Sequence, residues 1–164
     1  MTQLHYLFDW GDTLMVDIPG QSGPMCNWPE VFAVPHALAA LQQLNQTSHC
    51  HLATNAKDSG PDQIRAALAR VGLDSYIQKI FCFRTVGHPK PSPAFFDFIV
   101  HDLQIARSSL IMVGDNLEKD VLGAQLCGLK AIWYNPMNAL APDGVRAVDN
   151  LLKLIHAPGL ALEG

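Results

Sequence analysis

The 164-residue sequence lacks a run of lysines or arginines and has no Cys-x-x-Cys pair. It also lacks any apolar stretch of the ~18 residues that span a bilayer. The first absence and the net charge of −4 disfavour a nucleic-acid partner. The scattered cysteines and histidines disfavour a zinc site, and the missing apolar stretch disfavours a membrane span. The amino-terminal residues also lack the basic start and apolar segment of a signal peptide, so we expect a cytoplasmic protein.

Apolar residues make up 49% of the sequence and charged residues 16%, which is typical of a folded globular protein. The length favours a single domain that spans residues 1–164. Strand-like and helix-like patterns alternate along the chain, without an internal repeat or an interdomain linker. This alternation predicts an α/β fold with a parallel sheet.

Five apolar segments are the predicted strands, and helical patterns lie between them. The strands are predicted at residues 4–8, 50–53, within 76–83, at 110–113 and at 131–134. The helices are predicted at about residues 35–44, 61–71, 93–103, 117–126 and 148–155. Residues 15–34 carry three prolines and two glycines, which predicts a loop or flap with little regular structure.

Polar side chains recur where the predicted strands end, and one lysine lies in a later loop. These residues are Asp9, Asp12, Thr54, Asn55, Lys90, Asp115 and Asp120. Right-handed crossovers place the carboxyl ends of parallel strands at one edge of the sheet, so we expect these side chains to converge. Clustered carboxylates repel one another unless a cation lies among them, and their hard oxygen ligands suggest Mg²⁺.

The order of these residues resembles the haloacid dehalogenase (HAD) superfamily. Residues 8–14 resemble its first motif, residues 54–55 the second, Lys90 with Pro91 the third, and residues 114–116 with Asp120 the fourth. No single motif is specific, but the four occur in the correct order, each at the end of the appropriate element. The resemblance implies a Rossmann-like three-layer sandwich around a central parallel five-stranded sheet.

The resemblance also implies a Mg²⁺-dependent phosphatase that hydrolyses a phosphate monoester through an aspartyl-phosphate intermediate. Asp9 would be the nucleophile. The metal would be held by Asp9, the backbone carbonyl of Gly11 and Asp115, and Asp120 would orient metal-bound water.

Two further residues, Thr54 and Lys90, would hold the phosphoryl oxygens as part of the catalytic set implied by the resemblance. Backbone N–H groups near Trp10 and Asn55 would add donors. Arg84 lies on a loop at the same edge and is a candidate contact for the substrate, although an exposed surface charge explains it equally well.

One position departs from the family pattern. Phosphatases of this family usually carry a second Asp, two positions after the nucleophile, as the general acid/base. Here Gly11 occupies that position and Asp12 follows it. Three interpretations stay open: Asp12 takes the role, the protein is a slow phosphatase, or it binds phosphate or metal without efficient turnover.

A HAD hydrolase that is not a phosphatase is a further alternative. Dehalogenases of this family need no metal, so the carboxylate pair Asp115 and Asp120 favours a metal-using member. Residues 15–34 leave room for a flap in place of the helical cap domain that many members insert there, which implies a capless member. We therefore expect a small phosphorylated substrate or an exposed phosphoryl group, no nucleic-acid or membrane partner, and leave a homo-oligomer open.

Overall fold

A six-stranded parallel sheet forms the centre of residues 2–155, the part of the chain that this computed structural model describes. The strands are β1 (His5–Phe8), β2 (His49–Thr54), β3 (Ile80–Cys82), β4 (Leu110–Gly114), β5 (Lys130–Tyr134) and β6 (Arg146–Val148). Their order in space is β3-β2-β1-β4-β5-β6, and all neighbours are parallel. The order reverses between β1 and β4, a switch point of the kind at which open α/β sheets bind ligands.

Helices cover both faces of the sheet, which confirms the predicted three-layer α/β sandwich. They are α1 (Ala37–Leu44), α2 (Pro61–Arg70), α3 (Phe83–Val86), α4 (Pro93–Leu103) and α5 (Gly123–Leu126). Helices α1 and α2 pack on one face, whereas α3, α4 and α5 pack on the other. No helix among residues 2–155 is both long and apolar enough to cross a bilayer.

The central strand β1 contributes to both hydrophobic cores. Successive side chains of a strand point to opposite faces, so Tyr6 and Phe8 face α1 and α2, while Leu7 faces α4. Helices on both faces keep β1 out of water, which is why it is a nearly continuous apolar segment. Burial on both faces keeps the strand apolar up to Phe8, so Asp9 is the first residue after its end.

Two predicted features near the end of the described chain are wrong. The sheet has six strands instead of five, because Arg146–Val148 pairs with β5. The helix predicted at residues 148–155 is instead this strand's last residue followed by a short 3-10 helix, Leu151–Leu154. The helix predicted at 117–126 begins as a π-helical segment, Leu117–Leu122, and continues as α5.

The flap (residues 15–34) contains one short 3-10 helix, Met25–Asn27, and is attached to the domain at both ends and in the middle. At its base, the Val34 N–H donates to the carbonyl of Leu14, which lies outside the flap, at 2.9 Å, and the Val16 N–H donates to the Phe32 carbonyl across the flap. Near its middle, the Arg70 guanidinium of α2 donates to three flap carbonyl groups. These bonds hold the flap beside the carboxyl ends of the strands.

Candidate active site

Three carboxylates meet at the switch point of the sheet. Asp9 follows β1, Asp115 follows the adjacent strand β4, and Asp120 lies in the π-helical segment after β4. One oxygen from each side chain lies within 4.8 Å of the other two. The structure thus brings together three of the four carboxylates that the sequence motifs single out, and Asp12 is not among them.

Lys90 inserts its ammonium group into this carboxylate cluster. Its Nζ donates to Oδ1 of Asp9, to Oδ1 of Asp120 and to the Ala53 carbonyl, each at 2.8 Å. The Lys90 side chain is only 2% exposed. Burial alone lowers the pKa of Lys90, but the two carboxylates outweigh that cost and raise it, so the ammonium group stays charged.

Asp115 is held by groups to which the sequence analysis assigns no role. The buried Thr13 hydroxyl donates to Asp115 Oδ1 at 3.0 Å and accepts from the Asp115 N–H at 3.1 Å. The Trp133 indole donates to the Asp115 carbonyl at 2.9 Å. Burial, and secondarily the adjacent Asp9 carboxyl, raise the pKa of Asp115 to about 7.

The clustered oxygens fit a hard divalent cation. Asp9, Asp115 and Asp120 supply carboxylate ligands at mutual reach, and Gly11 lines the same cavity. The single charge of Lys90 does not balance three carboxylates, so a cation bound among them would offset the remaining negative charge. This donor set suits Mg²⁺, which takes few carboxylates and retains several waters.

A glycine at the end of β4 allows Asp120 to approach the cluster. A Cβ added at Gly114 would overlap the Asp120 side chain. The Asn116 N–H donates to Asp120 Oδ2 at 3.2 Å, whereas Lys90 donates to Oδ1. Both oxygens of this carboxylate therefore accept a hydrogen bond. Burial raises the pKa of Asp120, and Lys90 opposes that rise.

The second predicted motif lies on the other side of Lys90. The Asn55 side chain donates to the Lys90 carbonyl at 2.9 Å and accepts from the Lys90 N–H at 2.7 Å, so it fixes the loop that carries the lysine. The Thr54 hydroxyl accepts from the Ala56 N–H at 3.1 Å. Both Thr54 and Asn55 line the cavity above the carboxylates.

The cavity in front of the cluster has a volume of about 560 Å³ and extends under the flap to Trp28. The Trp28 indole donates to two carbonyls of the flap itself, so this residue both packs within the flap and forms part of the cavity wall. Arg84 lies on α3, outside the cavity lining, and its Nε donates to the Lys57 carbonyl at 3.2 Å. Lys57 itself does line the cavity.

The acid/base candidate Asp12 lies three residues before the flap. Its backbone is in the left-handed region, with φ of 59°, and its Oδ1 accepts from the Asp17 N–H at 3.0 Å. Asp17 also lines the cavity, next to Gly11. Burial and the charges of Asp12, Asp58 and Asp9 raise the pKa of Asp17. Sequence analysis misses Asp17 because it lies within the flap and belongs to no motif.

Comparison with known proteins identifies the family of this chain. The family model described as haloacid dehalogenase-like hydrolase matches residues 25–134. The pyrimidine 5′-nucleotidase YjjG of Escherichia coli is 31% identical over 113 residues, which cover 68% of this chain and 49% of that protein. The phosphoserine phosphatase of Thermus thermophilus is 34% identical over 91 residues, or 56% of this chain and 36% of that protein. The chain thus spans no more than about half the length of these relatives.

Solved structures show the same architecture over nearly the whole chain. An uncharacterised protein from Listeria monocytogenes superposes with a TM-score of 0.83 at 27% identity, covering 96% of this chain and 98% of that one. The putative HAD-hydrolase YfnB from Bacillus subtilis, solved bound to magnesium, superposes with a TM-score of 0.76 at 17% identity, covering 95% and 98%. Since the family model matches most of the chain and the fold agrees, this protein belongs to the haloacid dehalogenase-like hydrolases.

Proposed function

We propose that the protein is a Mg²⁺-dependent phosphatase that hydrolyses a phosphate monoester through an aspartyl-phosphate intermediate. The observation that carries the proposal is the buried Lys90 ammonium, which lies 2.8 Å from both Asp9 and Asp120 beside a third carboxylate, at the base of an open cavity. A carboxylate oriented by a cation is suited to attack phosphorus. The substrate is a small phosphorylated molecule or an exposed phosphoryl group.

The proposed reaction begins when a carboxylate oxygen of Asp9 attacks phosphorus and the ester oxygen departs. Lys90 and Thr54 hold phosphoryl oxygens, and backbone N–H groups near Trp10 and Asn55 add donors. Mg²⁺ bound by Asp9, Asp115, Asp120 and the Gly11 carbonyl would offset the charge on the transferring group. Water then attacks phosphorus of the aspartyl-phosphate, which releases phosphate and regenerates Asp9.

Two observations support a phosphate monoester as substrate. The similar proteins named above include a 5′-nucleotidase and a phosphoserine phosphatase. The paired carboxylates Asp115 and Asp120 form a metal-ligand set, which a dehalogenase of this family would not need. We further propose that the flap replaces a cap domain, and that Arg84 contacts only a leaving group that extends beyond the cavity.

A panel of phosphate monoesters, assayed with Mg²⁺ and with a chelator, tests the proposal. We expect hydrolysis that requires Mg²⁺ and is lost in Asp9→Asn, whereas the exposed Asp143→Asn control keeps wild-type activity. Beryllium fluoride should form an adduct on Asp9. Failure of folded, metal-loaded protein to hydrolyse any ester in the panel would instead favour a noncatalytic phosphate-binding or metal-binding protein.

A further inference from the structure

Hydrolysis of a phosphate monoester requires proton transfers that Asp9 cannot perform itself. The departing ester oxygen needs a proton, and the water that opens the phosphoenzyme must lose one. A carboxyl group that alternates between acid and base can serve both steps. Besides the three clustered carboxylates, three carboxyl groups among the described residues line the cavity: Asp12, Asp17 and Asp58.

Two of these three carboxylates are engaged by neighbouring groups. The Asp12 carboxylate accepts the Asp17 N–H at 3.0 Å, across the turn where the flap begins. The Asp58 carboxylate accepts from the Ser59 hydroxyl at 3.3 Å. No group of residues 2–155 donates a hydrogen bond to the Asp17 carboxylate, so it is the one that remains available to a substrate.

The Asp17 side chain lies beside the space that a side chain at position 11 would occupy. A Cβ placed on Gly11, two residues after Asp9, would lie 3.5 Å from the Asp17 Cβ and 3.9 Å from both its carboxyl carbon and its Oδ2. These are ordinary contact distances, so the flap brings a carboxylate into the space beside Gly11 without crowding it. A carboxylate from the flap therefore lies beside the position that lacks a side chain.

The position of Asp17 is held by the backbone on either side. The preceding residue, Val16, donates its N–H to the Phe32 carbonyl at 2.9 Å, and the Asp17 N–H is bonded to Asp12. The Asp12 N–H in turn donates to the carbonyl of the buried Met15 at 2.6 Å. Asp17 is therefore presented by a hydrogen-bonded turn, and Asp12 serves to hold that turn.

We propose, on the basis of the phosphatase function above, that Asp17 is the general acid/base of this enzyme. In the first step an Asp9 oxygen bonds to phosphorus, the bond from phosphorus to the ester oxygen breaks, and the Asp17 carboxyl proton moves to that oxygen. In the second step the Asp17 carboxylate takes a proton from water while the water oxygen bonds to phosphorus. The bond from phosphorus to Asp9 then breaks, and phosphate leaves.

The test compares phenyl phosphate with p-nitrophenyl phosphate in the Mg²⁺-loaded protein. The two esters share a ring, but p-nitrophenolate leaves readily without a proton and phenolate does not. We expect single-turnover phosphorylation of Asp17→Asn to fall ~10²-fold or more with phenyl phosphate and much less with p-nitrophenyl phosphate. Asp12→Asn should show no such dependence on the leaving group. An equal loss of both esters in Asp17→Asn, or a leaving-group dependence that appears in Asp12→Asn instead, would overturn the assignment.

An exchange of side chains adds a gain-of-function arm. Asp17→Ala should lose phenyl phosphate hydrolysis, and adding Gly11→Asp to it should restore part of that loss, because a side chain fits at position 11. A folded exchange variant no more active than Asp17→Ala would count against the assignment. Failure of the phosphatase proposal is seen separately, because the Mg²⁺-loaded wild-type protein would then hydrolyse neither ester and Asp9 would form no beryllium fluoride adduct.

Discussion

Replacing Lys90 by Met tests the charge balance at the centre of the site. Met has a similar length and no charge, so the substitution removes the ammonium group without emptying its space. It breaks the contacts of Nζ with Asp9, Asp120 and the Ala53 carbonyl, each 2.8 Å long. Three carboxyl groups then share the site with no protein cation between them.

The expected cost follows from the burial of these groups. At an effective dielectric constant of ~20, each 2.8 Å contact corresponds to about 6 kcal/mol of Coulomb attraction. Dehydrating Lys90, whose side chain is 2% exposed, cancels much of that gain. The substitution does not return the Asp120 carboxylate, also 2% exposed, to water. Breaking one side of such a pair costs about 3–5 kcal/mol, which is the expected loss in the free energy of unfolding.

Urea unfolding followed by circular dichroism, with a chelator present, measures this loss. Lys79→Met is the matched control, because Lys79 contacts Asp102 at the same 2.8 Å distance but the two side chains are 49% and 39% exposed. That variant should lose no more than about 1 kcal/mol. In a double-mutant cycle, Lys90→Met should cost less in an Asp120→Asn background, because one of the stranded charges has been removed.

Equal losses in the free energy of unfolding for Lys90→Met and Lys79→Met would refute the expected cost of leaving these carboxylates unpaired. An additive double-mutant cycle with Asp120→Asn would refute it as well. Either result would mean that the cluster is solvated enough to tolerate unpaired carboxylates. Added Mg²⁺ should recover part of the lost stability in Lys90→Met, since it offsets the same charges. The recovery is measured as a shift of the urea midpoint with Mg²⁺ concentration.

Three further changes probe the support of the site and the opposite end of the sheet. Gly114→Ala should displace Asp120, lower stability by ~1–3 kcal/mol and abolish Mg²⁺-dependent hydrolysis, as measured by urea unfolding and phosphoester assay. His51, whose pKa is lowered to about 3 by burial and by His5, should make wild-type stability fall as the pH drops from ~6.5, where the unfolded chain takes up the proton first. The slope is at most ~1.4 kcal/mol per pH unit and fades to zero near pH ~8, where the unfolded chain also leaves this imidazole neutral. The difference in stability between wild type and His51→Leu should therefore show this slope. Arg70→Met should speed amide hydrogen exchange in the flap and leave β1 unchanged, because it removes the bonds to three flap carbonyls.

Each of these three predictions can be contradicted by a specific result. Gly60→Ala is the control for Gly114→Ala, because the nearest atom to its Cβ lies 3.6 Å away, and equal losses would contradict the steric argument. Parallel stability curves for wild type and His51→Leu between pH 5 and pH 7 would show that burial of the imidazole does not couple to folding. If amide hydrogen exchange in the flap is unchanged in Arg70→Met, the backbone hydrogen bonds of the flap hold it without Arg70.

Much of the fold and the centre of the site follow from local patterns in the sequence. The apolar segments that become β1 and β4 are nearly continuous because both faces of a parallel sheet are buried. Their ends place Asp9 and Asp115 at one edge, since right-handed crossovers leave no other arrangement. The third strand, Ile80–Cys82, has only three residues. It lies within its predicted segment, but its exact bounds are known only from the structure.

The outermost strand of the sheet, β6, was less predictable from the sequence. The segment Arg146–Val148 is too short for an alternating pattern to be recognised, and its pairing with β5 depends on a neighbour distant in sequence. The residues after it carry helical spacing, which favoured a longer helix than the 3-10 turn that forms. Tertiary pairing outweighed the local signal at this edge.

Within the site, the sequence determined which residue types follow the strands, and the tertiary structure decided which of them touch. Lys90 lies in a loop whose own pattern says nothing of its partners; the Asn55 side chain holds that loop so that the ammonium group lies between two carboxylates. Asp17 is six positions from Gly11 in the chain, yet the turn of the flap brings its carboxylate beside that glycine. Local patterns record the periodicity of strands and helices, whereas these contacts depend on how loops dock against distant elements.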